Sequence, residues 1–168
     1  GRKELLRDME RLFRLMDRLI DSLLKLSRLD AGIVVLRSEP VEVAGLIQAS
    51  ARPLLIPMEL HEVVLKTQVP EGISIKGDSD WLAEAVQNIL KNCMESAGDG
   101  GCIEVACEDT LLYTEITIHD SGPGFGKEDL HHVFDRFYRG RDAKTTGYGL
   151  GLALCRTIVT RQGGTVTA

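Results

Sequence analysis

The sequence has no apolar run that approaches the roughly eighteen residues of a membrane-spanning helix. It also has no leader in which a basic start precedes an apolar stretch. We therefore expect this piece of chain neither to span nor to cross a membrane.

Paired cysteines are absent as well. The four cysteines form no C-x-x-C pair and lie among apolar neighbours: Cys93, Cys102, Cys107 and Cys155. This spacing favours buried, reduced thiols in a cytosolic protein over metal ligands or disulfides.

Excess positive charge is the third absence. The net charge is −5, and basic residues form no stripe interleaved with aromatic side chains. We therefore expect no nucleic-acid partner. With 43% apolar residues in 168, the chain can hold one good core and an appendage.

Residues 2–31 predict one long helix. Its apolar residues recur at alternating spacings of four and three, as in a helical seam: Leu5, Met9, Leu12, Met16, Leu19, Leu23 and Leu26. Leu6, Phe13 and Ile20 widen the seam, which favours a helical bundle. The face must be covered from outside these residues, by a second copy, by a missing partner helix, or by both, and we expect a homodimer through this helix.

Residues 33–77 predict a mixture of short elements. We expect a strand at Ile33–Leu36, a turn at Pro40, a helix from Val41 to about Met58, and strands at 61–67 and 73–75. Strands and helices follow one another without regular alternation. The pattern predicts an α+β fold, a two-layer sandwich with helices on one face of a mixed sheet.

One acidic residue ends a predicted strand on its apolar face. Strand 113–119 alternates so that Asp120 shares a face with Ile116 and Ile118. Because an unpaired buried charge is costly, the carboxylate is predicted to receive a hydrogen-bond donor from a ligand. Gly122 and Gly124 would let a flat group lie against the backbone. The alternative is a simple turn that closes a hairpin.

Residues 78–97 predict a helix, capped by Asp78 or Ser79. Its apolar residues follow the helical period and form a stripe that should face the core: Leu82, Val86, Ile89, Cys93 and Ala97. A row of polar side chains lies beside this stripe. The row consists of Glu84, Asn88, Asn92 and Glu95. Asparagine is a poor helix former, but its amide oxygen suits Mg²⁺ shared with nucleotide phosphates. The alternative is a solvated helix face.

A glycine-rich stretch, Gly147 to Leu154, leads directly into another predicted helix. It matches neither the dinucleotide motif nor the P-loop. Free backbone N–H groups at such a helix start suit phosphate oxygens. The polar residues 139–146 that precede it are typical of a mobile lid.

These stretches resemble, in order and spacing, the N, G1, F and G2 boxes of sensor histidine kinases of two-component systems. The boxes correspond to Asn88-x-x-x-Asn92, Asp120-x-Gly122-x-Gly124, Val133–Gly140 and Gly147-x-Gly149-Leu150-Gly151-Leu152. Residues 14–31 resemble the second helix of that family's dimerisation and phosphotransfer hairpin. The resemblance implies that residues 1–32 are this helix without its first partner. It implies that residues 33–168 are a catalytic ATP-binding domain of the Bergerat fold, truncated at its C-terminus.

The resemblance implies a site for ATP and Mg²⁺. Asp120 would accept the adenine amine, with Gly122 and Gly124 beside the ring and sugar. Asn92 would ligate Mg²⁺, supported by Asn88. The lid and the glycine-rich stretch would close over the triphosphate, and Phe134 and Phe137 would anchor the base of the lid in the core. The other implied cofactor-binding residues are Phe137, Arg139, Thr146, Gly147, Gly149, Leu150, Gly151 and Leu152.

The implied function is transfer of the γ-phosphoryl group of ATP to a histidine on a dimerisation helix, for relay to the receiver domain of a response regulator. The implied location is the cytoplasm, with the full-length protein held at a membrane by segments outside this sequence. None of His61, His119, His131 and His132 fits the phosphoacceptor pattern. We expect this chain to bind ATP but not to phosphorylate itself.

Two alternative functions stay open, and one residue departs from the family pattern. An ATP-hydrolysing clamp of the same superfamily would carry a glutamate at position 88, and the amide of Asn88 cannot take a proton from water. A non-catalytic nucleotide-binding dimerisation module is the other alternative. Glu95 stands where many family members carry a lysine that contacts phosphate, and a carboxylate there would repel phosphate unless Mg²⁺ lies between them.

Overall fold

The computed structural model describes residues 1–139 and 149–168. Its helices are α1 (Arg2–Asp30), α2 (Val43–Ala51), a 3₁₀ turn (Arg52–Leu54), α3 (Leu55–Leu60), α4 (Ser79–Ala97) and α5 (Gly151–Arg161). Its strands are β1 (Glu39–Glu42), β2 (Val64–Gln68), β3 (Ser74–Gly77), β4 (Cys102–Asp109) and β5 (Thr114–Asp120). Among the described residues, no helix is long and apolar enough to cross a membrane.

Three strands form a mixed sheet in the order β2-β4-β5. Strand β4 runs parallel to β2 and antiparallel to β5, while β1 and β3 form a separate antiparallel pair. The predicted mixed sheet of an α+β fold is therefore confirmed. No element was predicted for residues 102–109, although Ile103, Val105 and Cys107 alternate as a half-buried strand should.

The main core lies between this sheet and helices α2 and α4. Ile103 and Val105 of the central strand share one buried cluster with Ile47 of α2 and Leu90 of α4, and none of the four is more than 2% exposed. The apolar stripe predicted for residues 78–97 is what places α4 on the sheet.

A second buried cluster joins the end of α1 to helices α4 and α5. Leu26 and Leu29 of α1 are packed in it with Leu150, Leu154 and Ile158. Leu26 is the last residue of the predicted seam, but other parts of the same chain cover it. The last residue of the seam is therefore buried, whereas most of its earlier residues are exposed.

The apolar side chains on the earlier part of α1 are exposed. Nine of them are between 38% and 61% exposed: Leu5, Leu6, Met9, Leu12, Phe13, Met16, Ile20, Leu23 and Leu24. The helix itself has the predicted length and ends before Gly32, whose φ of +69° suits a residue without a side chain.

Three local predictions after α1 were wrong. Residues Ile33–Leu36 form no strand, and Pro40 lies inside β1 instead of at a turn. Each strand of a two-stranded pair has an open side, so the missing N–H of Pro40 is tolerated there. His61 also lies outside a strand, since it follows α3 and β2 begins only at Val64.

Candidate functional site

Asp120 lies on the inward face of β5, as the alternation predicted. Residues Ile116, Ile118 and Asp120 are half-buried, whereas His119 beside them is exposed. Asp120 Oδ1 accepts a hydrogen bond of 2.8 Å from the N–H of Gly122. A carboxylate has about four lone-pair sites on two oxygens, so this bond does not exhaust its capacity to accept.

A buried thiol lies beside this carboxylate. Burial raises the pKa of Cys93 to about 12, and the nearby charge of Asp120 and a hydrogen bond to it act in the same direction. Cys93 therefore stays protonated and can donate to Asp120. Cys93 was predicted only as a buried core thiol, although it directly follows Asn92 on α4.

The glycine turn after β5 rests on the end of α4. A Cβ added to Gly122 would overlap the carbonyl and hydroxyl oxygens of Ser96, so only glycine fits. Gly124 has φ of +73° with open space around its Cα. Sequence reasoning missed Ser96, yet it follows Asn92 by four residues, and helical periodicity alone places the two on one face.

Helix α4 begins at the predicted cap. Asp78 Oδ1 accepts from the backbone N–H groups of Asp80 and Trp81 at 3.1 and 3.2 Å. The polar row that follows is not uniform, because Glu84 is bound to Lys25 of α1 at 3.0 Å. Glu84 thus belongs to the contact with α1, and the remaining members of the row are the candidates for ligand binding.

Asn88 lies where α4 meets the start of α5. A Cβ on Gly151 would stand 3.9 Å from Cβ and Cγ of Asn88. The Nδ2 atom of Asn88 is buried and has no hydrogen-bond partner among the described residues. A buried unpaired donor costs free energy, and a phosphate or metal-bound water oxygen would satisfy it.

The donor set suits a metal ion shared with a nucleotide. No group of three or more histidine, cysteine or acidic side chains within residues 1–139 and 149–168 could hold a metal ion on its own. Mg²⁺ usually takes one or two protein oxygens together with phosphates and water. The half-buried amide of Asn92 can supply one such oxygen.

Glu95 follows Asn92 on α4. Desolvation raises the pKa of the Glu95 carboxyl although the residue reaches solvent, and the charges of Arg18, Lys91 and Arg139 partly oppose that shift. The positive groups come from α1, from α4 and from the end of the described loop. They moderate the repulsion that Glu95 would exert on a phosphate.

The loop before residue 140 is anchored differently from the prediction. Val133 is buried, and the Phe134 ring lies 6.0 Å from the guanidinium carbon of Arg156. Phe137 is 56% exposed with φ of +63°, so its predicted place in the core is wrong. Its backbone holds the loop instead, because its N–H donates to the carbonyl of Gly149 at 3.1 Å.

The start of α5 is close-packed. Gly149 has φ of +72°, and a Cβ there would overlap the carbonyl of Tyr138. Leu150 is buried at 3% exposure, while Gly151 and Leu152 open the helix. Of this stretch, Gly151 lies beside Asn88.

The remaining predicted residues lie in, or next to, the residues that the structure does not describe. Thr146 and Gly147 lie outside the described residues, as does most of the predicted lid, and Arg139 is exposed at its edge. The four histidines are exposed, with His61 paired to Asp99 and His132 to Asp135.

Comparison with known proteins shows which family this chain resembles. Residues 77–168 match the family described as histidine kinase-, DNA gyrase B-, and HSP90-like ATPase. The chain is 29% identical to the signal transduction histidine-protein kinase BaeS of Escherichia coli K12 over 156 residues, which are 91% of this chain and 33% of BaeS. The chain thus spans about a third of the length of this curated relative.

Two solved structures share the fold. Full-length ShkA in complex with AMPPNP superposes with a TM-score of 0.82 at 20% identity, over 98% of this chain and 35% of ShkA. Histidine kinase ThkA in complex with response regulator protein TrrA gives 0.71 at 18% identity, over 95% of this chain and 43% of ThkA. Both confirm the predicted fold, including the long helix that precedes the sandwich.

Proposed function

The chain belongs to the family of histidine kinase-, DNA gyrase B- and HSP90-like ATPases, and from that premise we propose that it is the ATP-binding kinase core of a two-component sensor histidine kinase. Residues 1–32 would be the second helix of the dimerisation hairpin, and residues 33–168 the catalytic domain. The phosphoryl acceptor would be a histidine on a dimerisation helix outside this sequence.

The observation that carries this proposal is that one helix contacts both glycine stretches. Asn88 of α4 lies against Gly151, and Ser96 of α4 lies against Gly122. These two contacts are eight residues apart, about 12 Å along a helix. A nucleotide extended along α4 would place adenine at Asp120 and its phosphates at Asn88.

Each residue would then have one task. Asp120 would accept the adenine amine while Gly122 and Gly124 keep the backbone close to the ring. Asn92 would hold Mg²⁺, which supplies neutralisation of phosphate charge when bound. Asn88 would donate to a phosphate or water oxygen, and the first N–H groups of α5 would face the phosphates. Phosphoryl transfer asks mainly for such positioning and charge stabilisation.

The partners follow from the same proposal. The exposed apolar side chains on the first two thirds of α1 would be covered by a second copy of the chain and its missing hairpin helix. The receiver domain of a response regulator would accept the phosphoryl group, since ThkA is solved with such a protein. An ATP-hydrolysing clamp is less favoured because Asn88 offers an amide where a general base is needed.

Calorimetric titration with the non-hydrolysable analogue AMPPNP, with and without Mg²⁺, tests the proposal. We expect binding that magnesium strengthens, and we expect Asn92→Ala to make it insensitive to magnesium. Glu84→Gln is the matched control, because Glu84 lies in the same row but is bound to Lys25. Absence of binding by the wild-type chain overturns the proposal, and full magnesium dependence in Asn92→Ala assigns the metal to another ligand.

A further inference from the structure

The last turn of α1 contacts both flanks of residues 140–148. Before them, the Asp30 carboxylate pairs with Arg136 Nη2 at 2.5 Å. After them, Leu150 shares a buried cluster with Leu26 and Leu29 of α1. The backbone carbonyl of Asp30 also accepts from Arg161 Nη2 of α5 at 3.3 Å. The end of α1 therefore touches the loop and the helix that together frame the proposed phosphate side.

The ion pair lies next to the point where the two flanks meet. Arg136 immediately precedes Phe137, whose N–H donates to the Gly149 carbonyl at 3.1 Å. Phe137 has φ of +63°, a conformation that a residue with a side chain holds only when its surroundings enforce it. Tyr138 then packs its carbonyl against Gly149 and donates its hydroxyl to Asp129. The Asp30–Arg136 pair ties this loop to the end of α1, whose Leu26 and Leu29 are packed with Leu150.

We propose that Asp30 is a positioning residue that couples α1 to the binding of the nucleotide's phosphates. By holding Arg136, Asp30 would set Phe137 and Gly149 in the arrangement that aims the first N–H groups of α5 at the triphosphate. This inference rests on the proposed ATP site and extends it to a residue of the helical segment.

The size of the effect follows from the exposure of the pair. An exposed ion pair contributes about 0.2–1 kcal/mol, which corresponds to a factor of about 1.4 to 5 in affinity. Replacing attraction by repulsion enlarges the change. Coupling is also reciprocal, so bound ATP must strengthen the Asp30–Arg136 contact by the same factor.

Charge reversal tests the coupling. We would measure dissociation constants for Mg·AMPPNP and for adenosine by calorimetry at low ionic strength, in the wild type, Asp30→Arg, Arg136→Asp and the double variant. We expect each single variant to weaken AMPPNP about fivefold and leave adenosine unchanged, and the double variant to regain most of the loss. Asp30→Asn, which keeps the side-chain shape, should weaken AMPPNP about twofold.

A second ion pair supplies the control. Arg37 pairs with Asp80 at 2.7 Å, and the side chains of Arg37 and Arg136 are both 48% exposed, but the Arg37 pair joins the segment before β1 to the first turn of α4. Asp80→Arg should leave both ligands unaffected. Equal losses for AMPPNP and adenosine in Asp30→Arg and Asp30→Asn would make Asp30 a structural residue only and overturn the inference. Unchanged AMPPNP affinity in every Asp30 and Arg136 variant would also overturn it.

The change in hydrogen exchange on ligand binding tests the coupling from the side of α1. AMPPNP should slow exchange of the amides in residues 27–31 of the wild type, and this added protection should disappear in Asp30→Asn. Protection that persists in Asp30→Asn contradicts the coupling. Failure of the wild type to bind AMPPNP would instead remove the proposed function, so the two failures are distinguishable.

Discussion

The two ends of the proposed nucleotide site differ in how far the protein completes them. At the adenine end, Asp120 accepts from Gly122, and Gly122 fits closely against Ser96. At the phosphate end, the buried Nδ2 atom of Asn88 has no partner in the part of the chain that the structure describes. Affinity for the base should thus depend on a fixed shape, whereas affinity for the phosphates should depend on groups that a ligand satisfies.

The largest effect should come from removing a glycine at the phosphate end. Gly149→Ala adds a Cβ at positive φ that also overlaps the Tyr138 carbonyl, so we expect the free energy of unfolding to fall by about 3 kcal/mol. Gly124→Ala has the same positive φ in open space and should cost only about 1 kcal/mol. Denaturant unfolding measures both, and equal losses would show that packing at Gly149 is unimportant.

At the adenine end, Asp120→Asn should weaken ATP binding by about 1.5–3 kcal/mol because a charge-assisted hydrogen bond is lost. Adenosine should lose as much as ATP, since the contact is to the base. Calorimetry measures both ligands, with His119→Gln on the opposite face of β5 as the control. An affinity that does not change in Asp120→Asn would rule out the adenine role.

The cap of α4 should give a smaller effect that depends on pH. Burial acts to raise the pKa of Asp78, but hydrogen bonds from the backbone N–H groups of Arg37 and Trp81 and from the Arg37 guanidinium hold the pKa below its usual value of 3.8. A lowered pKa stabilises the fold above pH 3.8, and that contribution is lost as the pH falls through the folded-state pKa.

Asp78→Asn should therefore lower the free energy of unfolding by about 1 kcal/mol at pH 7 and flatten its decline in acid. The free energy of unfolding, measured from pH 7 to pH 3, tests this prediction. Asp80→Asn, which changes an exposed neighbouring carboxylate, is the control. A variant whose decline in acid matches the wild type would show that Asp78 does not titrate as described.

The smallest effect should have the opposite sign. Asn88→Leu removes the unpartnered amide, so we expect the free energy of unfolding to rise by up to about 1 kcal/mol while ATP binding weakens. Adenosine binding should be retained, which separates the two ends of the site. A variant that loses stability and binds both ligands equally poorly would show that Asn88 serves the core.

Strong periodicity explains what the sequence could predict. The long helix α1, the cap and apolar stripe of α4 and the inward face of Asp120 depend on local patterns, and all three were confirmed. The predicted relation to histidine kinases was confirmed by the family match. The roles of the individual site residues remain predictions.

Tertiary contacts explain what the sequence could not predict. Phe137 looks like a core residue, yet its backbone takes a positive φ and its ring is exposed. Leu26 continues a seam of identical spacing, but the chain folds back to cover it. Pro40 suggests a turn, and only the pairing of β1 with β3 shows that an open strand edge accommodates it.

The continuity of α1 has a mechanical consequence. Its 29 residues form a rod of about 43 Å without an internal proline or glycine, and the last turn of this rod is fixed in the core of the ATP-binding domain. A rotation imposed on its exposed end would be transmitted along the helix to that core. The first flexible residue after the helix is Gly32, which follows the buried Leu26 and Leu29. A rotation of α1 would therefore also move the residues that pack against Leu26 and Leu29.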